Sequence, residues 1–501
     1  MQKYALSFLL AGVFVLLNLV TLSRSPTVWQ DEVSYTDPAV NLVQGKGFVS
    51  TAWYQQNDRE FWAGNVPLHQ FALAGWLQVF PVTPVGVRAF GLFLLLGFVA
   101  LVFRIKQNLG LWSSPRYDVA LVTLLFCGPG VLFAYRTARP DMILFCVGGL
   151  MGCGLTERNR KAGLFLLCTA SFLLPWAGIQ GIPWFAFFFV FLHCLLFAQK
   201  ALPHQSWSRL LVGELPGLLK RAGAMAAFAA LGLACLLSLY HSHGVLSDFW
   251  VSTFGSHTAA SDRAFSFKPG VDGYLLEDIA FILVNALLLV EAWRSGCRTT
   301  FCAWAFALVA AFPMVMGLLA KYPIYYHAMG FVMETLLCLY LLSRREKMTL
   351  WVRRSVWLAC LLVALAGLPA RTVLACAQWK SRDYAPYERF LTEHIRSDDV
   401  VFSTWSGYYA LNAISVKSYY PCYVGDYANS KEWGPHVMSD QEKQAVTVVV
   451  QHTEWDVPVP LAPFGFQRVA SYDAKQEKLF GRSLGALPYR VTVWRKKMGA
   501  Q

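Results

Sequence analysis

The sequence predicts a polytopic α-helical membrane protein of about eleven transmembrane helices, with a small α/β domain at its C-terminal end. Three observations predict it. Hydrophobic residues make up 56% of the 501 positions and charged residues only 15%, too few charges to cover a soluble chain of this length. The apolar residues are gathered in runs near the ~20 residues that a bilayer core requires. Basic residues fall in the loops at one end of those runs, the arrangement that orients a membrane protein.

The runs are roughly 4–22, 86–103, 117–134, 141–156, 163–179, 182–199, 223–240, 274–292, 300–319, 325–342 and 355–375. The first follows Lys3 and reads as a retained helix, because Ser23-Arg24-Ser25-Pro26 is a poor cleavage site. With the N-terminus inside, the inner loops contain Arg104, Lys106 and Arg116; Arg158, Arg160 and Lys161; Lys200, Arg209, Lys220 and Arg221; Arg294 and Arg298; and Arg344, Arg345, Lys347, Arg353 and Arg354. Every inner loop is basic. The net charge of +13 is therefore topological and does not point to nucleic acid. Leu202 to Leu219 reads as an inner surface helix. The twelve cysteines include no CxxC and lie mostly inside apolar runs, where a thiol packs as a small hydrophobe; only Cys376 and Cys422 fall in the predicted outer part.

Segments 23–85, 135–140, 241–273, 320–324 and the tail are then outside, as in a multi-pass protein of the cell inner (plasma) membrane. Their cations, Arg24, Lys46, Arg59, Arg136, Arg139, Arg263, Lys268 and Lys321, oppose the orientation rule. An anionic ligand on that face accounts for some of them. Pairing with nearby carboxylates or with outer lipid phosphates accounts for others, and is the reading for Arg24 and Arg59.

Residues 23–85 are too long for a simple connection. Asp31 and Glu32 lie where the first helix ends. Asp37-Pro38 reads as a helix cap followed by proline at the first helical position, with Gly45 as the stop. A second short helix is expected from Pro67. Trp53, Trp62 and Trp76 suit an interfacial belt. A partly desolvated carboxylate here can serve as general base, although ordinary solvation of a helix end explains the dipeptide equally well. Tyr135-Arg136-Thr137-Ala138-Arg139-Pro140-Asp141 forms a second acidic site. Two guanidinium forks there suit phosphate, and Asp141 can hold an arginine or orient a sugar; a local Arg–Asp pair is the plainer alternative. Lys321-Tyr322-Pro323-Ile324-Tyr325-Tyr326-His327 offers a point charge and two phenols at the same boundary, or else an aromatic belt with a snorkelling lysine. His241, His243 and His257 are weak evidence for a metal and are not read as a site. There is no dinucleotide-binding glycine loop and no P-loop.

The pattern Trp29-x-Asp31-Glu32-x-x-Tyr35, followed by Pro38-Ala39-x-Asn41-Leu42-x-x-Gly45-x-Gly47-Phe48, resembles the first outer loop of the GT-C superfamily. Within it, the pattern is similar to the protein mannosyltransferase-like branch, which includes the enzymes that transfer aminoarabinose or galacturonic acid to lipid A. The Arg-Pro-Asp arrangement and the Lys-Tyr segment resemble further motifs of that family. The resemblance covers roughly residues 1–345 and implies a transmembrane catalytic domain, taken over 1–375. Past Arg371 the composition changes: Ala385 to Ile395 reads as an amphipathic helix, and Val400-Val401-Phe402, Val446 to Val450, Phe466 to Ala470 and Tyr489 to Trp494 read as strands, which implies an extracytoplasmic α/β domain over 376–501. The resemblance implies catalytic roles for Asp31, as base, and for Glu32 and Asp141. Tyr35, His69, Arg136, Arg139, Lys321, Tyr325 and Tyr326 would bind substrate. One departure stands out. Many relatives carry a lysine before the proline of the second interfacial helix, where Asn65-Val66-Pro67 supplies none; His69 is a partial substitute or a structural histidine.

The expected chemistry is inverting transfer of a sugar from a polyprenyl phosphate to a lipid A, glycan or protein acceptor at the outer face, among membrane lipids and without nucleic acid. No cofactor is expected, although Asp31 and Glu32 could bind a divalent metal. The main rival is a lipid or solute transporter or flippase, which would carry mid-depth charges and inverted repeats; the charges here cluster at the boundaries. A binding or scaffold protein is a third option.

Overall fold

The computed structural model describes residues 4–53, 56, 58–200, 207–255, 274–294, 300–318, 324–344, 348–421, 439–452, 465–474 and 489–497. Each of the eleven apolar runs is helical. The helices are α1 (Ala5–Thr21), α2 (Gln30–Val43), α3 (Pro67–Leu77), α4 (Pro84–Leu109), α5 (Pro115–Cys127), α6 (Pro129–Arg136), α7 (Asp141–Thr156), α8 (Arg160–Ala177), α9 (Ile182–Lys200), α10 (Trp207–Ser242), α11 (Leu246–Trp250), α12 (Tyr274–Arg294), α13 (Thr300–Leu318), α14 (Ile324–Ser343), α15 (Leu350–Ala366) and α16 (Leu368–Ala377). Helices α3 to α6 each open on a proline, whose fixed φ suits the first turn and whose missing N–H is not needed there. Thr83 caps α4 by accepting from the Gly86 amide at 3.1 Å, and Gly110, at φ +57°, ends it.

Among the described residues, four helical stretches are long and apolar enough to cross a membrane: Pro84–Leu109, Ile182–Lys200, Val212–Ser242 and Leu350–Ala377. Helices α5 and α6 make a fifth, bent by 55°. Large apolar side chains such as Phe8, Phe165, Trp304 and Leu361 face outward. In water such a surface would drive association, whereas in a bilayer it meets lipid tails. The chain is a helical membrane protein.

Two expected single helices are broken. Run 117–134 turns at Gly128-Pro129, and run 355–375 at Gly367. The breaks touch: a Cβ on Gly367 would fall 1.5 Å from the Cys127 carbonyl oxygen, so only glycine allows this approach. The expected inner surface helix is instead continuous with the next span as α10, with Pro216 inside it.

Paired charges mark the two ends of the bundle. At one end Lys106 meets Asp118 at 2.8 Å and Arg104 meets Glu157 at 2.8 Å. At the other, α1, α6 and α16 end while α4 and α7 begin. Not every charge lies at a boundary, contrary to expectation: Glu334 is fully buried halfway along α14.

The tail adds α17 (Tyr384–His394), α18 (Tyr408–Ala413), α19 (Asp440–Ala445) and five strands: β1 (Val400–Ser403), β2 (Lys417–Tyr419), β3 (Val448–His452), β4 (Phe466–Asp473) and β5 (Arg490–Lys496). They form one sheet in the order β2-β1-β3-β5-β4. β1 runs parallel to β2 and β3, whereas β5 is antiparallel to β3 and β4. Val448, Val449 and Val450 are all buried, the continuous apolar run of a strand covered on both faces. Asp399 fastens the end of β1 by accepting from both Arg495 Nη atoms at 2.7 and 2.9 Å.

Candidate functional site

Helix α2 begins at Gln30, eight residues before the expected start at Pro38, with Trp29 extended at φ −142° as its cap. Asp37 does not cap. Its carboxylate accepts from Ser50 Oγ at 2.7 Å and from the Thr51 and Ala52 amides at 3.0 and 3.3 Å, and so ties the returning loop to the helix. Asp31 and Glu32 therefore occupy the first turn, where the positive end of the helix dipole favours carboxylates. Consecutive helical residues diverge by about 100°, and these two face different partners.

Glu32 turns into the core. Arg88 grips it in a fork, Nε to Oε1 at 2.9 Å and Nη2 to Oε2 at 2.7 Å, and Arg88 Nη1 also donates to the Leu22 carbonyl at 2.6 Å. Tyr409 donates to Oε1 at 2.9 Å. Both charged side chains are 0% exposed. With both oxygens held this way, Glu32 anchors α2 in the core and does not share the partly exposed face on which Asp31 lies.

Asp31 turns outward and keeps 27% of its side chain exposed. It pairs with Arg139 Nη1. Arg139 Nε donates to Asp141 Oδ2 at 2.9 Å, and its guanidinium lies 5.4 Å from the Tyr35 ring centroid. Asp141 begins α7, again at a favourable dipole end. One arginine thus bridges two carboxylates and leaves the trio with a net negative charge. Burial raises the Asp31 pKa; Arg139 lowers it and Asp141 raises it further.

The two arginines of this segment part company at Ala138, whose φ of +53° lies in the left-handed region. That conformation costs an L-residue about 1–2 kcal/mol. It sends Arg139 to α2 and Arg136 to α1. Arg136 is buried and donates to Asn18 Oδ1 at 2.6 Å, Thr21 Oγ1 at 3.0 Å and the Ser25 carbonyl at 2.7 Å. Its guanidinium is thus engaged on the end of α1, apart from Arg139, with which the sequence reading grouped it. His69 is buried beside the Ala138 backbone, and burial pulls its pKa down to about 3, so its ring is neutral. Tyr35 meets Trp53 edge-on at 5.1 Å.

Asp31, Asp141, Arg139, Tyr35 and His69 are thus brought together, while Glu32 and Arg136 lie behind them. Lys321 lies outside the described residues, as do the side chains of Tyr325 and Tyr326. The isolated outer cations have local partners as expected: Arg24 pairs with Asp383 at 2.5 Å and Arg59 with Glu442 at 3.3 Å. His243 stacks on Phe61 at 3.9 Å, and His257 lies outside the described residues, as does Cys422. Sequence reasoning missed Arg88, although a charge one turn inside an apolar run is itself a signal. It also missed Tyr409, for which no local signal exists.

A helical bundle whose first loop lays down two short helices, with carboxylates and arginines gathered at the helix ends, has a counterpart among solved structures. The crystal structure of ArnT from Cupriavidus metallidurans bound to undecaprenyl phosphate matches the chain with a TM-score of 0.60 at 12% identity over 99% of both chains. At that identity the likeness establishes the fold, which is ArnT-like. The apo form of the same protein gives a TM-score of 0.46, at 12% identity over 99% of this chain and 98% of that one. The Archaeoglobus fulgidus oligosaccharyltransferase gives 0.45, at 13% identity over 90% of this chain and 69% of that one. Scores this low add no argument. No family model matches the sequence, nor does any curated protein.

Proposed function

We propose that the chain is an inverting glycosyltransferase with about eleven membrane crossings that moves a sugar from a polyprenyl phosphate to an acceptor hydroxyl at the outer face. The observation that carries this reading is the partly exposed Asp31 carboxylate, held by buried Arg139 where the helices end. Its support is the ArnT-like fold, since that relative holds undecaprenyl phosphate.

Asp31 takes the proton of the acceptor hydroxyl. The hydroxyl oxygen attacks the anomeric carbon, and the bond from that carbon to the phosphate oxygen breaks with its electron pair leaving on phosphate. Arg139 keeps Asp31 charged and aimed, and Asp141 keeps Arg139 in place. Tyr35 and neutral His69 line the sugar side. The departing phosphate needs positive charge. With Arg136 engaged on α1, that role falls to Lys321, assisted by Tyr325 and Tyr326. A cleft of about 210 Å³ between α8, α9 and α10, lined by Leu174, Ile182, Phe185 and Met225, suits an apolar tail. Lipid A, another surface glycan or a protein hydroxyl would serve as acceptor. The basic loops at the far end of the bundle favour an inner (plasma) membrane with the site on its periplasmic side.

Mass spectrometry of envelope lipids and glycans from cells with and without the gene tests this. One defined sugar should disappear and return with the wild-type chain but not with Asp31→Asn. Return of that sugar with Asp31→Asn would remove Asp31 from the mechanism.

A further inference from the structure

We infer that helix α18 of the C-terminal unit clamps α2, and that Tyr409 is a positioning residue for Asp31. The contacts run the whole length of α2. Ahead of it, the Val28 amide donates to the Tyr489 hydroxyl at 3.3 Å. At its first turn, Tyr409 donates to Glu32 at 2.9 Å. At mid-length, fully buried Tyr408 lies beside the Asp37 carboxylate. At its end, Gln44 donates to Asn412 Oδ1 at 3.4 Å. Tyr408 and Asn412 stand one turn apart on α18, so a single short helix meets both the middle and the end of α2.

The clamp is itself braced. The Ala410 amide donates to the Tyr384 hydroxyl at 3.0 Å, and that hydroxyl donates to the Ser406 carbonyl at 3.0 Å. Tyr387 stacks on Tyr489 at 4.9 Å. Glu32 is adjacent to Asp31 on one rigid turn, so whatever fixes the Glu32 carboxylate fixes the direction of Asp31. Arg88 supplies two bonds to it and Tyr409 the third. A base needs support within fractions of an ångström, and here a surrounding unit distant in sequence provides part of it. The C-terminal unit thus acts on the site from behind, through α2, and is more than a cover over its mouth.

The kinetic consequence rests on the transferase reading, whereas the structural one does not. Two readouts on the full chain in vesicles and in cells separate them. In substrate-free vesicles, Tyr409→Phe should speed hydrogen exchange at amides 30–36 about fivefold without collapse of the fold. In cells it should lower the envelope product about tenfold, while binding of undecaprenyl phosphate to the reconstituted chain stays within about twofold. Ser471→Ala, which loses a 3.2 Å bond to Thr492 between β4 and β5, is the control and should change neither readout. Faster exchange in Tyr409→Phe, from a wild-type chain that yields no product, would uphold the clamp and sink the transferase. Wild-type exchange in Tyr409→Phe, or equal changes in Ser471→Ala, would overturn the clamp.

Discussion

At the scale of the residue, neighbours in sequence have opposite fates. Asp31 and Glu32 look equivalent as a dipeptide, as do Arg136 and Arg139 as a pair. One of each faces the site and the other anchors a helix. What separates them, the turn of α2 and the left-handed Ala138, is not a property of residue type, so the sequence could nominate all four but not sort them. Asp31 must be ionised to act as a base. Because burial holds its pKa above the ordinary carboxylate value and Arg139 pulls it back, turnover should rise with pH through that pKa. Arg139→Gln removes the downward pull, so the acid limb of the pH–rate profile should move to higher pH by about one unit. His69, neutral above about 3, should contribute no limb between pH 5 and 8, and His69→Gln should leave the profile's shape unchanged. Arg88→Leu strands the buried Glu32 charge and should destabilise the chain by about 3–5 kcal/mol. Adding Glu32→Leu should recover much of that loss, as read from thermal unfolding in detergent.

At the scale of the element, apolar runs located the helices well, because burial in lipid leaves few alternatives to a helix, and Pro67 marked the start of α3. The errors lie where the backbone answers to a neighbour. The break at Gly128-Pro129 meets a second at Gly367; the proline inside the run signals the first, whereas the second answers to the Cys127 carbonyl it packs against. Gly367→Ala would set a methyl 1.5 Å from a backbone carbonyl oxygen, a clash that no rotamer can relieve. It should cut the folded yield severely. Gly12→Ala, with nothing within 4 Å of the new methyl, should leave the yield intact. Size-exclusion profiles in detergent would compare the two. The start of α2 was misplaced for a similar reason: Asp37 looked like a cap, but its carboxylate serves residues 50–52.

At the scale of the whole molecule, composition and basic loops foretold the class and the two unlike ends of the bundle. The partnership of α18 with α2 joins residues 377 positions apart, and no local pattern announces such a contact. Topology follows the same logic of ends. In a chain with Cys235, Cys376 and Cys422 replaced, Lys46→Cys should react with an impermeant maleimide from outside, and Arg158→Cys should not. The central claim, that Asp31 is the base of a polyprenyl-phosphate-dependent sugar transfer, meets its most direct test in membranes supplied with total polyprenyl lipids. Transfer per chain should fall at least about 100-fold in Asp31→Asn, with undecaprenyl phosphate still bound as tightly as by the wild type. Transfer by Asp31→Asn at the wild-type rate would contradict it.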